Sequence, residues 1–325
     1  MGKIKEILGK DCLISKTAIR HLIGSDHMKY KIGLLSVACL VLLGGCFNMG
    51  TSKKANKYEE ENFVLIEDYD GEGFTLRDAN PKTGEIAEEN RDEVIAAVEA
   101  YFVSEYDTEV TVHNIVSAVD AVSVYVESVG DPHFYTFAVV PVDLENETVK
   151  TDEIWTEEGQ VEDGIKGGLY KMAFSEEFEQ LDAFLESSTE TYPIIGSPQA
   201  VIENVKGNGY TTPYYFVSTF GNVFKDIYNA YMEDPSISSE EIHSIISDQP
   251  MDKSGVSIGI EFYMSGDEAE PDKEVFDELA KELEEMKELP PGEYFLFLND
   301  GFVDKRRGIG KKENSLERRF IVEQE

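Results

Sequence analysis

The segment Met28–Cys46, MKYKIGLLSVACLVLLGGC, is the feature that limits the rest of this chain most, because it determines where the downstream part folds. Lys29 and Lys31 precede an apolar run over residues 32–43 that carries no charge, and small residues then lead to a cysteine. A helix that spans a membrane needs about 20 apolar residues, whereas the apolar part of a secretory signal needs about 7–15. The segment therefore predicts a signal peptide and an exported downstream chain.

The last four residues of this segment indicate how the exported chain is held. Leu43, Gly44, Gly45 and Cys46 match the lipobox of bacterial lipoproteins, in which the cysteine thiol receives a diacylglyceryl group. We predict a signal peptide over residues 28–45, cleavage between Gly45 and Cys46, and lipidation of Cys46. The predicted location is the outer face of the cell membrane. Apart from this covalent diacylglycerol, we expect no cofactor.

Cysteine usage limits the chemistry of the folded part. Cys12, Cys39 and Cys46 are the three cysteines of the chain, so the predicted mature protein has no internal disulfide. Residues 1–27 would lengthen the signal with three acidic residues, whereas a start at Met28 gives a signal of ordinary size. We therefore predict that translation begins at Met28 and that residues 1–27 are an upstream segment misassigned to the coding sequence.

The net charge of the exported part restricts the kinds of partner that it can bind. Residues 1–45 hold seven of the 29 basic and three of the 65 acidic residues, which leaves residues 46–325 with a net charge of −40. Such a field repels nucleic acid, and we predict no nucleic-acid partner. With 41% hydrophobic residues the chain still has enough apolar side chains for a core. Residues 46–61 are polar and predict a tether.

Residues 62–150 show a change of hydrophobic period. Asn90 and Glu93 predict a capped helix start, and apolar residues then recur at helical spacing up to Phe102. From Val110 to Val142 the period becomes two, interrupted by turn residues. The pattern predicts a helix packed on an antiparallel meander, and the fold class α+β.

Residues 151–325 predict a further mixed module of helices and strands, either separate from the first or continuous with it. Leu144–Gly168 is turn-rich and predicts a long loop before it. Helices are predicted from Ser175, over Phe220–Met232, from Ser238 and from Pro271, and strands at Tyr214–Val217, Val256–Met264, Tyr294–Leu298 and Arg319–Val322.

A family resemblance rests on two stretches. These are ENRDEV at residues 89–94 and HNIVSAVDAVSVYVESVGDPHFYTFAVVPVD at residues 113–143. Together they resemble an uncharacterised family of lipoproteins of bacilli and staphylococci, and the likeness extends over most of the exported chain. The resemblance implies a Gram-positive surface lipoprotein of undefined function and supplies no catalytic residue.

Two groups of residues are candidate sites. Asp68, Asp70 and Glu72 alternate ahead of a glycine as in a calcium loop, but position twelve is alanine where a bidentate glutamate is needed. This pattern favours a turn with solvated acids over a metal site. His113 and His133 lie on predicted strands of the meander and can meet Glu127 there, which predicts a polar site.

A basic cluster lies near the end of the chain, and it favours a solvated hairpin turn over contact with the anionic cell wall or membrane. Its members are Lys305, Arg306, Arg307, Lys311 and Lys312. Two function classes remain open. The first is a non-enzymatic binding or envelope-accessory lipoprotein with a cell-wall or protein partner, and the alternative is an extracytoplasmic hydrolase that uses acidic residues. No catalytic residue is assigned.

Overall fold

The computed structural model describes residues 57–221, 223–248, 255–267, 270–311 and 313–323. These residues belong to one compact unit. Within them, no helix is both long enough and apolar enough to cross a membrane. The predicted signal segment, the cleavage site and Cys46 lie outside the described residues, so lipidation stays a prediction.

The first half of the fold is built from two helices and five strands. In chain order these are β1 (Phe63–Leu65), α1 (Pro81–Glu89), α2 (Arg91–Tyr106), β2 (Val110–Ser117), β3 (Ala121–Ser128), β4 (Tyr135–Asp143) and β5 (Thr148–Val149). Strands β2 to β5 form one sheet in sequential order, and every pair in it is antiparallel. The meander predicted from the alternating pattern is confirmed.

Helix α2 covers the apolar face of this sheet as predicted, through the buried side chains of Val94, Val98 and Phe102. Its start differs from the prediction. Asn90 occupies the cap position, but its side chain donates to the Ile86 carbonyl because another helix, α1, ends immediately before it. Helix α1 was not predicted, since its short sequence offers few apolar residues at helical spacing.

The described part of the second half contains five longer helices and eight strands. In chain order these are α3 (Gln160–Ala173), α4 (Ser175–Thr191), β6 (Ile194–Ile195), β7 (Tyr210–Thr211), β8 (Tyr215–Thr219), α5 (Lys225–Glu233), α6 (Ser239–Ser247), β9 (Val256–Met264), α7 (Lys273–Glu285), β10 (Gly292–Asn299), β11 (Phe302–Asp304), β12 (Ile309–Gly310) and β13 (Leu316–Val322). Between β6 and β7 lie a helical turn, Gln199–Val201, and a π-helix, Ile202–Lys206, called here the π segment.

The main sheet of this half has the order β13-β10-β9-β8-β7, with β6 also paired to β9. Strands β9 and β10 are parallel, and α7 makes the crossover between them. Strand β9 is therefore central and almost wholly buried, rather than half-buried as its alternation indicates. The remaining pairs of this sheet are antiparallel, so the fold class α+β is confirmed.

Helix α3 replaces part of the loop predicted over Leu144–Gly168. Its glycines indicate a loop in the sequence, but in the fold they allow the helix to approach the meander closely. A Cβ atom on Gly168 would lie 2.8 Å from the His133 carbonyl oxygen, and one on Gly164 would lie 3.0 Å from the Phe134 ring. Glycine is thus required by packing at these positions, and its low helix propensity is outweighed.

One hydrophobic core runs through both halves. Phe102 and Phe134 from the first half and Tyr215 and Phe262 from the second belong to the same buried cluster. A backbone bridge between Tyr135 and Gly209 also joins the meander to the segment that precedes β7. The boundary near residue 150 therefore does not interrupt the core.

Candidate functional site

A β-bulge in strand β2 places the first residue of the site. Val112 is paired with Val126 and Asn114 with Tyr125, so His113 is the extra residue between them. A bulge re-aims the side chain at its position and is common next to functional sites. Here it turns the His113 imidazole toward Glu127 of β3.

Glu127 is the centre of the cluster, and its two carboxylate oxygens have different partners. Oε2 accepts a hydrogen bond from His113 Nε2 at 2.7 Å. Oε1 accepts from His133 Nε2 at 2.8 Å and from the Tyr135 hydroxyl at 3.0 Å. The structure thus brings together the three residues selected from the sequence, and the functional role of the cluster stays a prediction.

Two residues from much later in the chain complete the cluster: Gln199 in the helical turn and Glu203 in the π segment. Glu203 Oε2 lies 3.9 Å from His113 Nδ1. Gln199 Nε2 donates to Glu203 Oε1 at 3.1 Å and to the Tyr135 hydroxyl at 2.9 Å. π-Helical turns are frequent at functional sites. Sequence reasoning missed Tyr135, although it lies eight residues from Glu127. It also missed Gln199 and Glu203, since no local pattern shows that residues about 60 to 90 positions apart will meet.

The cluster is open to solvent on one side. The side chains of His113, Glu127 and Glu203 are 18%, 26% and 30% exposed. Burial alone would raise the pKa of Glu127, but the hydrogen bonds from His133, His113 and Tyr135 outweigh it, and the net pKa is lowered. Glu127 is therefore a fixed anion at neutral pH. A cavity of about 310 Å³ is lined in part by Asn114, but none of the residues of the cluster lines it.

Ligand atoms for a metal ion converge at one place in the described part of the chain. One atom each from His113, Glu127 and Glu203 lies within 4.8 Å of the others. The candidate calcium ligands do not form such a group in these residues. Asp68 ends a short 3-10 turn, and Asp70 Oδ1 accepts from the backbone N–H of Glu72 at 2.9 Å. They form an acidic turn.

A second polar cluster lies on the opposite end of the π segment. Lys206 Nζ donates to Glu261 Oε2 at 2.5 Å, to the Tyr263 hydroxyl at 2.9 Å and to Ser197 Oγ at 3.1 Å. Burial acts to lower the pKa of Lys206, but Glu261 and Tyr263 outweigh it and the pKa is raised. This partly buried ion pair ties the π segment to β9 and so helps to fix the position of Glu203.

The sequence Gly255–Gly259, GVSIG, has the spacing of a hydrolase nucleophile elbow. An elbow needs a sharp turn from a strand into a helix. Here Ser257 lies inside β9, buried and paired with Ser218 on one side and Glu293 on the other. The spacing is therefore part of a central strand and does not form a nucleophile elbow.

Lys305, Arg306 and Arg307 occupy the hairpin between β11 and β12, as the sequence predicts, and Lys311 directly follows β12. Residues 57–62 are helical and lie beside this hairpin. The Tyr58 hydroxyl donates to Asp304 Oδ2 at 2.9 Å, and Lys311 Nζ lies 3.5 Å from Glu59 Oε2. The chain thus enters the fold next to its basic hairpin. Lys312 lies outside the described residues.

The fold and the site together show what class of protein this is. It is an α+β protein whose halves share a hydrophobic core, and it has a solvent-accessible histidine–carboxylate cluster between its meander and its π segment. The chain belongs to the family DUF1672, a protein family of unknown function whose model matches residues 56–324. The resemblance drawn from residues 89–94 and 113–143 is confirmed.

A solved structure supports the fold. The chain is similar to the crystal structure of a DUF1672 family protein from Staphylococcus aureus subsp. aureus Mu50, with 19% sequence identity and a TM-score of 0.64. The match covers 81% of this chain and 98% of that one. No curated protein matches the chain. The similarity therefore shows a shared fold and carries no activity with it.

Proposed function

We propose that this chain is a lipid-anchored extracytoplasmic protein that binds a positively charged ligand at the cluster centred on Glu127. The observation that carries the proposal is the arrangement of this carboxylate, held by His113, His133 and Tyr135 in a place that solvent reaches. Glu203 adds a second carboxylate on the far side of His113. Such an anionic site attracts cations, and the net charge of −40 strengthens that attraction.

Binding is favoured over catalysis by the electrostatics of Glu127. A catalytic acid or base works best when its pKa lies near the operating pH, and enzymes raise the pKa of a glutamate to reach it. The pKa of Glu127 is lowered instead. The contacts that hold His133 in place are Glu127 and the edges of the Tyr135 and Tyr210 rings, which orient it without activating a nucleophile.

Anchoring is supported by the lipobox and by the place where the chain enters the fold. Ten residues separate Cys46 from Lys57, and an extended chain spans at most about 3.5 Å per residue. The folded body therefore stays within about 40 Å of the lipid. The basic hairpin beside the entry point gives an otherwise acidic body a face suited to anionic headgroups.

Lipidation is tested by labelling cells with a radioactive fatty acid. We expect the wild-type chain and the control variant Cys39→Ala to incorporate label, because Cys39 lies inside the signal peptide that is removed. Cys46→Ala should incorporate none. Equal labelling of Cys46→Ala and wild type would contradict the anchor.

The binding role is tested with the mature lipoprotein in detergent. Thermal stabilisation is measured with two kinds of cationic probe, amine-bearing peptidoglycan stem peptides and divalent metal chlorides. We expect at least one kind to raise the melting temperature of wild type and of the exposed-surface control Glu105→Gln, and to leave the melting temperature of Glu127→Gln unchanged. The bound peptide should be recovered intact. Peptide cleavage that disappears in Glu127→Gln would indicate a hydrolase instead.

A further inference from the structure

We propose that the cluster is a binding site for a divalent transition-metal ion, for which Zn²⁺ is the best match, with His113, Glu127 and Glu203 as its protein ligands. This inference rests on the proposed binding function and specifies the ligand. It accounts for a feature that cation binding in general does not require, namely that each carboxylate has one oxygen tied by the protein and the other directed at the same imidazole.

In each of the two carboxylates, one oxygen is held by other residues and the second oxygen is directed at His113. Glu127 Oε1 is held by His133 and Tyr135, and its Oε2 faces His113. Glu203 Oε1 is held by Gln199, and its Oε2 lies 3.9 Å from the Nδ1 atom of His113, whereas Glu127 Oε2 faces the Nε2 atom of the same ring. Hydrogen bonds that fix the outer oxygen of a ligating carboxylate are the usual support around a metal ion. His133, Tyr135 and Gln199 are therefore positioning residues.

The distances between the ligand atoms are close to those that zinc requires. Zinc bonds to imidazole nitrogen and carboxylate oxygen are about 2.0–2.2 Å long, so ligand atoms around a tetrahedral ion lie about 3.4 Å apart. The present group lies within 4.8 Å, and the His113–Glu127 pair is closer, at 2.7 Å. Zinc at a ring nitrogen of His113 would replace the hydrogen bond to Glu127, and the Glu203 carboxylate would turn toward the same ion.

The donor set decides which ion fits. Calcium takes six to eight oxygen ligands and magnesium keeps most of its waters, so neither has a use for an imidazole. Imidazole with carboxylates suits zinc and its first-row neighbours. Three protein ligands leave a fourth position open, as in zinc sites that bind an external group.

The test is a calorimetric titration of the EDTA-treated, dialysed lipoprotein in detergent with zinc chloride, followed by calcium and magnesium chloride. We expect one zinc ion per chain for wild type and for His243→Ala, which removes an exposed histidine on α6. His113→Ala and Glu203→Gln should weaken zinc binding by at least 100-fold. His133→Gln, which removes a positioning residue, should weaken it by about 10- to 100-fold.

Circular dichroism confirms that each variant is folded before titration. Absence of saturable zinc binding in wild type, or equal affinity in His113→Ala and His243→Ala, would overturn the metal site. If the cationic stem peptide binds wild type and not Glu127→Gln while zinc does not bind, the metal inference falls and the proposed function stands. If neither probe binds, both fall.

Discussion

Replacing Gly168 by alanine tests whether the close approach of α3 to the meander holds the site together. A Cβ atom there would lie 2.8 Å from both the His133 carbonyl oxygen and the Pro132 Cβ atom, well inside normal contact distance. Gly167, the preceding residue of the same helix, is the matched control. Its nearest neighbour would be the Val217 carbonyl oxygen at 3.4 Å, which is an ordinary contact.

The magnitude follows from comparing the two variants. Both substitutions gain about 1 kcal/mol of helix propensity, so this contribution cancels in their difference. Overpacking costs about 1–3 kcal/mol, and the rigid backbone of residues 132–133 offers little relief. We therefore expect Gly168→Ala to unfold with a free energy about 1–3 kcal/mol lower than that of Gly167→Ala.

The assay is urea unfolding followed by the fluorescence of Trp155, the single tryptophan of the chain. Trp155 packs beside Val139 of the meander, so its emission reports on this part of the fold. The same shift should displace His133 and weaken ligand binding in Gly168→Ala. Equal unfolding free energies for the two variants would refute the claim that glycine is required here by packing.

Three further substitutions test separate parts of the structure. Lys206→Met should lower the free energy of unfolding by about 1–3 kcal/mol in urea titrations because the partly buried Glu261 carboxylate loses its charged partner, and adding Glu261→Gln should restore part of the loss. The pKa of Glu127 is lowered from its ordinary value of 4.5. The ionised carboxylate therefore stabilises the folded state above about pH 4.5, and this contribution is lost as the pH falls through the folded-state pKa. Glu127→Gln should therefore lose less stability than wild type between about pH 5 and pH 3, and an equal loss would contradict the shift. Ser238→Ala removes a capping box at the start of α6 and should cost about 1 kcal/mol in unfolding free energy, whereas Ser239→Ala should cost little.

The sequence predicts elements where one side of the element is buried and the other is exposed. Helix α2 follows this rule and was predicted. Strand β3 was predicted from its alternation although it is almost wholly buried, and the start of α6 was predicted from its capping box. Helix α3 breaks the rule, because its glycines form the surface that packs on the meander. Strand β9 breaks it as well, since layers cover both of its faces and Ser257 and Gly259 are buried there.

The candidate site was predicted only in part, for a related reason. His113 and Glu127 lie on the paired strands β2 and β3, and His133 lies two residues before β4, so strand pairing inferred from alternation brings them together. The bulge at His113 leaves no mark in the hydrophobic pattern. Glu203 comes from the π segment, which has neither helical nor strand periodicity, and it reaches the cluster only through the packing of the two halves.

Anomalous diffraction from zinc-soaked crystals, measured on both sides of the zinc absorption edge, tests the central claim most directly. We expect a peak about 2.0–2.2 Å from a His113 nitrogen and from Oε2 of both Glu127 and Glu203, with His133 still bonded to Glu127 Oε1. A peak elsewhere on the molecule, or none while His113 and Glu127 remain hydrogen-bonded, would contradict the site.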